Sequence, residues 1–243
     1  MIELRLMIEL TPKENFSYNE INKHSIQGFL YSPFKKEYPE FHDIKGFKFF
    51  CFSDIFPTND YEEGVKKNII ISSPDNSFIQ FLRHGLEGQK IISGHEFEIR
   101  SRVIKVSLNK IWITGSPIVL YKDNKNNIYY SFERDKDLLF FLDRIKDNAL
   151  KKYNAFYNED FILLDNIFDR LVFNKEVVVN TIKKGNEFII IGSMWKNLEK
   201  EYISNDQRKF YSFLMETGLG EKNSMGFGFV NPLKNNSNRV SGA

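Results

Sequence analysis

The chain opens on a two-residue rhythm. Ile2, Leu4, Leu6, Ile8 and Leu10 alternate with Glu3, Arg5, Met7 and Glu9, the pattern of a strand with one buried face. Thr11 and Pro12 end it. Ser17 with Glu20 has the spacing of a capping box, which predicts a helix from about Ser17 to Tyr31. Strand-like runs follow at residues 47–53 and 65–72, then a helical run at 76–86 and a strand at 97–106. Residues 1–112 therefore read β-α-β-β-α-β.

The second half repeats that order without repeating the sequence. Residues 118–121 read as a strand, and 135–153 as a helix with Leu138, Leu142, Ile145, Ala149 and Tyr153 at three- and four-residue steps. Residues 177–182 and 188–191 form a hairpin across Lys183, Lys184, Gly185 and Asn186, where Gly-Asn supplies the backbone angles of a tight turn. A helix starts at Ser204, with Gln207 completing a capping box, and ends at Gly218; residues 225–230 are the last strand. Two successive units predict an α+β protein of tandem ferredoxin-like, RRM-like modules, with antiparallel sheets and helices on one face. The first module takes residues 1–112 and the second 113–233, with the join near 113–117, and the polar stretch 234–243 reads as a flexible tail.

Composition narrows the chemistry. An apolar fraction of 42% over 243 residues is ample for a real core. The single cysteine, Cys51, cannot close an intramolecular disulfide, and the four histidines, at 24, 42, 84 and 95, have no metal-ligand spacing. No metal or cofactor is expected. Apolar runs are far shorter than the roughly 18 residues of a membrane span, and the alternating N-terminus is not a signal peptide, so the chain reads as cytoplasmic and away from membranes. With 34 Lys plus Arg against 32 Asp plus Glu, nucleic-acid binding must come from a local basic surface and not from the whole-molecule field.

The most unusual stretch is 218–229, with Gly218, Gly220, Gly226 and Gly228 around Glu221, Lys222, Asn223 and Ser224. It lacks Gly-Lys-Ser/Thr after its second glycine, so it is not a Walker A loop, and a dinucleotide fingerprint would need a glycine at Asn223. Glycines let a backbone approach a ligand and present its N–H groups, with Lys222 adding charge and Asn223 and Ser224 adding hydrogen bonds. A phosphate backbone is the natural guest, and the alternative is a glycine cap followed by a bulged strand.

This segment closely resembles the C-terminal glycine-rich motif of the CRISPR-associated endoribonucleases that process precursor CRISPR RNA, the sixth of the numbered Cas proteins in the RAMP superfamily. The likeness extends to Gln27-Gly28-Phe29-Leu30-Tyr31, Phe41-His42-Asp43 and Lys48-Phe49-Phe50-Cys51-Phe52-Ser53. The resemblance implies metal-independent cleavage within the repeat, in which the ribose 2′-hydroxyl attacks the adjacent phosphate to leave a 2′,3′-cyclic phosphate and a 5′-hydroxyl. By motif, the catalytic residues would be Tyr31, His42 and Lys48. Histidine exchanges protons near neutral pH, tyrosine orients or assists, and lysine stabilises phosphate charge. The interval from Tyr31 to His42 is shorter than is usual in the family, which makes His24 the alternative histidine. Glu20, His24, Gln27 and Tyr31 would form one polar stripe on the predicted helix, leaving Tyr31 exposed.

Further RNA contacts are expected at Arg100 and Arg102, which share a strand face, with Lys105, and at Lys183 and Lys184 on the hairpin tip. Trp195, beside Lys196, is a candidate to stack on an RNA base, with burial in the second core the favoured reading, and Phe227 and Phe229 read as core. The partner implied is the CRISPR repeat RNA of the precursor transcript. Other proteins of a CRISPR effector complex are further candidates, and open sheet edges leave room for a homodimer. The competing reading is a non-catalytic member of the same superfamily that holds repeat RNA without cutting it.

Overall fold

A computed structural model describes residues 2–38, 46–183 and 186–233. The first unit runs β1 (Ile2–Pro12), α1 (Lys23–Tyr31), a single turn α2 (Phe34–Glu37), β2 (Cys51–Phe52), β3 (Lys67–Ser72), α3 (Asn76–Leu86), β4 (Gly88–Ile92) and β5 (His95–Ser107). Its five strands lie in the order β2-β3-β1-β5-β4, every neighbour antiparallel. Leu6, Ile8 and Leu10 of β1 are fully buried beneath Ile26, Phe29 and Leu30 of α1 and Ile79, Leu82 and Leu86 of α3. That layer is what the alternation along β1 predicts.

Three local details differ from the pattern reading. The Ser17–Glu20 capping box closes only a 3-10 turn, Tyr18–Glu20, with the Glu20 carboxylate accepting the Ser17 N–H at 2.9 Å. Ile21 then turns extended to bury its side chain, and α1 starts afresh at Lys23 under Asn22, whose Oδ1 accepts the Ser25 N–H. The strand expected over 47–53 shrinks to Cys51–Phe52. An added strand, β4, folds back on β5 through Ser93 and Gly94, both at positive φ, the geometry a two-residue hairpin turn requires.

The second unit comprises β6 (Ile111–Thr114), a small hairpin of β7 (Tyr121–Asp123) and β8 (Ile128–Tyr129), α4 (Phe132–Asp135), α5 (Leu138–Tyr157), β9 (Arg170–Lys183), β10 (Asn186–Glu199), α6 (Arg208–Thr217) and β11 (Val230–Pro232). Its sheet runs β11-β6-β10-β9. Counting strands within each unit, this is the ferredoxin-like permutation already seen in β5-β1-β3-β2. The opening strand is β6, so the segment expected to join the modules at 113–117 begins inside a strand. The run expected as that strand, 118–121, makes single bridges instead, Ile118 with Ser193 and Val119 with Glu221. The last strand likewise starts at Val230 and not at Met225, because Gly226 and Gly228 hold φ values of +84° and +73° that no strand accommodates. Trp195, Phe227 and Phe229 are buried, as their pattern predicts.

The two units pack closely. The outer face of the first sheet, expected to be polar and solvated, is covered near its middle by the second unit: Cys51 and Ile70 pack on Phe229, with Met7 and Ile104 alongside. Arg5 is completely buried there, donating to Met215 O and Val230 O and to Asn231 Oδ1 at 2.7 to 2.9 Å, its guanidinium 4.7 Å from the Phe229 ring centre. Among the described residues, no helix is long and apolar enough to cross a membrane.

Candidate functional site

Tyr31, the last residue of α1, is the centre of the candidate site. Its position corrects one expectation: it is buried, 6% exposed, and not displayed on a polar stripe. The helix begins six residues later than the pattern suggests, and Phe50 closes over the ring edge-on at 6.1 Å. The Lys48 ammonium lies 5.1 Å from the ring centre. The side chains of Ser224 and Gln27 are its polar neighbours. Burial raises its pKa, an effect those two neighbours only partly oppose. Tyr31 therefore stays protonated at neutral pH, suited to donating a hydrogen bond and not to accepting a proton.

Gln27, one turn earlier on α1, donates its side-chain N–H to Ser224 O at 2.9 Å. The fold thus brings the Gln27-to-Tyr31 motif, Lys48 and the glycine-rich segment to one place. His24 lies on the exposed side of α1. His42 lies outside the described residues, as does Lys184. Lys183 is the final residue of β9. Arg100 and Arg102 project from the outer face of the first sheet, opposite to α1. Arg100 pairs with Glu98 at 2.8 Å and Arg102 reaches Met7 Sδ at 3.2 Å, so the fold does not gather them with Tyr31.

The glycine-rich segment is built as a knot. Leu219 N–H donates to Gly228 O at 2.9 Å, and Gly228 N–H to Pro117 O at 2.8 Å. A Cβ on Gly228 would fall 1.9 Å from Leu219 O, and one on Gly226 would fall 2.3 Å from the Phe52 ring. Gly218 and Gly220 also take positive φ, +79° and +68°, with Gly228 O and Val119 O hard against them. These glycines are required by close crossing of the loop over itself and its neighbours. Asn223 is buried, and its amide donates to Leu219 O and Phe227 O, both at 3.0 Å, while its Oδ1 accepts from Lys152 at 2.9 Å. Its side chain faces inward, so of the expected RNA-contacting side chains in this segment only Lys222 and Ser224 reach the surface. Lys222 sits over the stacked pair Tyr121 and Tyr129, at 5.3 and 5.7 Å.

Cations from both modules hold this knot. Lys23 of α1 donates to Gly226 O at 2.6 Å and pairs with Asp54. Arg144 of α5 pairs with Glu221, whose carboxylate also accepts the Tyr121 N–H at 2.7 Å. Lys152, also on α5, lies directly beneath, donating to Gly218 O at 2.6 Å. Lys23 and Lys152 escape a motif search. Yet Lys152 stands three residues after Ala149 and seven after Ile145, on the apolar stripe of its helix, and a lysine there signals a buried cation.

The fold and the site define a two-module, ferredoxin-like protein whose glycine-rich segment packs against the first helix. The family model described as "CRISPR associated protein Cas6, C-terminal" matches residues 102–232. The CRISPR-associated endoribonuclease Cas6 2 of Methanocaldococcus jannaschii is 48% identical over 241 residues, covering 95% of this chain and 100% of the relative. Two solved structures superpose on it: a CRISPR-associated protein Cas6 at TM-score 0.67 and 25% identity, covering 96% of this chain and 100% of the other, and an RAMP protein binding different RNA substrates at 0.69 and 18%, covering 95% and 100%. The chain belongs to the Cas6 family of CRISPR-associated endoribonucleases.

Proposed function

We propose that the chain cuts precursor CRISPR RNA within its repeat by attack of a ribose 2′-hydroxyl on the adjacent phosphate. The new bond from 2′-oxygen to phosphorus forms as the bond to the 5′-oxygen breaks, leaving a 2′,3′-cyclic phosphate and a 5′-hydroxyl. A base removes the 2′ proton, an acid returns one to the 5′-oxygen, and a cation stabilises the crowded phosphorane. The observation that carries this reading is the meeting of Tyr31, Lys48 and Ser224 in one place. Lys48 is the cation. Tyr31, held protonated by burial, orients the scissile ribose or phosphate by hydrogen bonding. Proton transfer falls to His42, with His24 of α1 as the substitute. The Lys222 and Ser224 surface lies along the RNA backbone, with Lys222 supplying the charge and Ser224 a hydroxyl. No step in this scheme requires a metal.

A single-turnover assay in EDTA with repeat RNA tests this. The wild type cleaves to a 2′,3′-cyclic phosphate, and His42→Ala slows cleavage by about 100- to 10,000-fold, the usual contribution of a positioned acid or base. Cleavage undiminished in His42→Ala but lost in His24→Ala moves the role to His24. Tight binding with no cleavage by the wild type would show a protein that only holds RNA.

A further inference from the structure

We propose that Lys152 is a positioning residue for RNA, its buried ammonium holding the glycine-rich knot in the shape that seats the phosphate backbone. The inference rests on the function proposed above and adds a residue that touches no RNA.

Lys152 is 3% exposed. Its ammonium faces three acceptors, Gly218 O at 2.6 Å, Asn223 Oδ1 at 2.9 Å and Gly220 O at 3.5 Å. All three belong to the knot, and among the described residues none of the ion pairs includes Lys152. An ammonium offers three donors and no lone pair, so it matches three acceptors. A neutral amine has two donors and a lone pair, and the lone pair would point at an oxygen. Loss of the proton therefore leaves one acceptor unmade and sets two lone pairs against each other. It also removes the positive charge beneath a surface that meets phosphate.

The surroundings place this change in an accessible range. Burial pulls the Lys152 pKa down to about 8, opposed by the nearby Glu221 carboxylate. Cys51, on β2, is pushed up to about 11 by its own burial and stays a thiol throughout that range. Glu221 is occupied by Arg144. Arg5 and Glu216 also neighbour Cys51, the first charged and the second protonated at pH 7. Of these groups, Lys152 is the one that bonds the knot and titrates near pH 8.

The experiment measures repeat-RNA affinity of the wild type and Lys152→Met from pH 7 to pH 9, at fixed ionic strength. At pH 9 about one tenth of a group titrating near 8 stays charged, so wild-type affinity should fall about tenfold. Lys152→Met should bind at least about tenfold more weakly at pH 7 and show no such fall. A variant that binds like the wild type, or that keeps the wild-type pH slope, overturns the proposal. Hydrogen exchange without RNA gives a second reading. At pH 7 the Leu219 and Gly228 amides should be at least about tenfold less protected in Lys152→Met than in the wild type, while Leu6 and Ile8 in β1 stay protected in both and show that the variant is folded. Unchanged protection at Leu219 and Gly228 overturns it too. A wild type that binds no repeat RNA at pH 7 defeats the function proposed above, and the exchange result still decides the role of Lys152.

Discussion

Asn223 and Ser224 are neighbours in the chain and face opposite ways. Asn223 points down into a buried set of polar groups, where Lys152 and the carbonyls of Leu219 and Phe227 use both ends of its amide. Ser224 points toward α1, where Gln27 takes its carbonyl and Tyr31 approaches its side chain. One face of the segment is architecture and the other is chemistry. A motif of glycines, Lys222, Asn223 and Ser224 that reads as one binding loop is thus two surfaces back to back, and each should fail in its own way.

The largest expected effect is on the architectural face. Gly228→Ala places a methyl group 1.9 Å from Leu219 O at a φ of +73°. Backbone on both sides of the clash is hydrogen-bonded and cannot step aside, so a loss of about 3–5 kcal/mol is expected. Chemical denaturation checks this, and a midpoint near the wild type would mean that the knot is looser than its geometry implies.

Next comes the pair that defines the contrast. Asn223→Ala strips the knot of three hydrogen bonds and leaves Leu219 O, Phe227 O and the Lys152 ammonium short of partners, which should cost about 1–3 kcal/mol. Ser224→Ala should move stability by less than about 0.5 kcal/mol and lower the single-turnover cleavage rate, because it removes the hydroxyl beside Tyr31. Equal stability losses in the two variants would erase the division between the faces.

Element order was readable from the chain because hydrophobic periodicity is local: strand alternation in β1, helical steps in α5 and the glycine cap after α6 each need only a dozen residues. The glycine-rich segment was readable for the same reason. What escaped depends on distant partners. Arg5 looks like a solvated residue on the polar face of β1, yet it is buried against Met215 and Val230, more than 200 positions away. Tyr31 looks exposed on a helical wheel, and it is Phe50 and Ser224, brought in by tertiary packing, that cover it. The strand β4 carries a local sign in Ser93-Gly94, flanked by Ile92 and His95, which a hairpin search finds.

A gain of stability, and not a loss, is expected at the edge of the architectural region, where Glu216 and Glu3 share a buried niche. Burial pushes the Glu216 pKa up to about 9, and the nearby Glu3 carboxyl adds to it while Arg5 opposes it. The unfolded chain releases this proton near 4.5 and the folded chain keeps it until about pH 9. Between those values the folded state binds the extra proton, so this group makes stability fall as pH rises. Glu216→Gln fixes the neutral form. It should flatten the fall between pH 5 and 7.5 and stabilise the protein at pH 7.5 by about 1–3 kcal/mol. Lys152 works in the opposite sense, since its folded value of about 8 lies below its unfolded 10.5 and its contribution rises with pH in that higher window. Restricting the titration to pH 5–7.5 keeps Lys152 out of it, and a slope that survives undiminished in Glu216→Gln would assign the buried proton elsewhere, with Glu221, whose carboxyl burial also raises, the next to test. Glu216 faces Glu3 and Arg5, so the same variant should leave cleavage at wild-type rate, which separates the energetics of the buried groups from the chemistry beside Ser224.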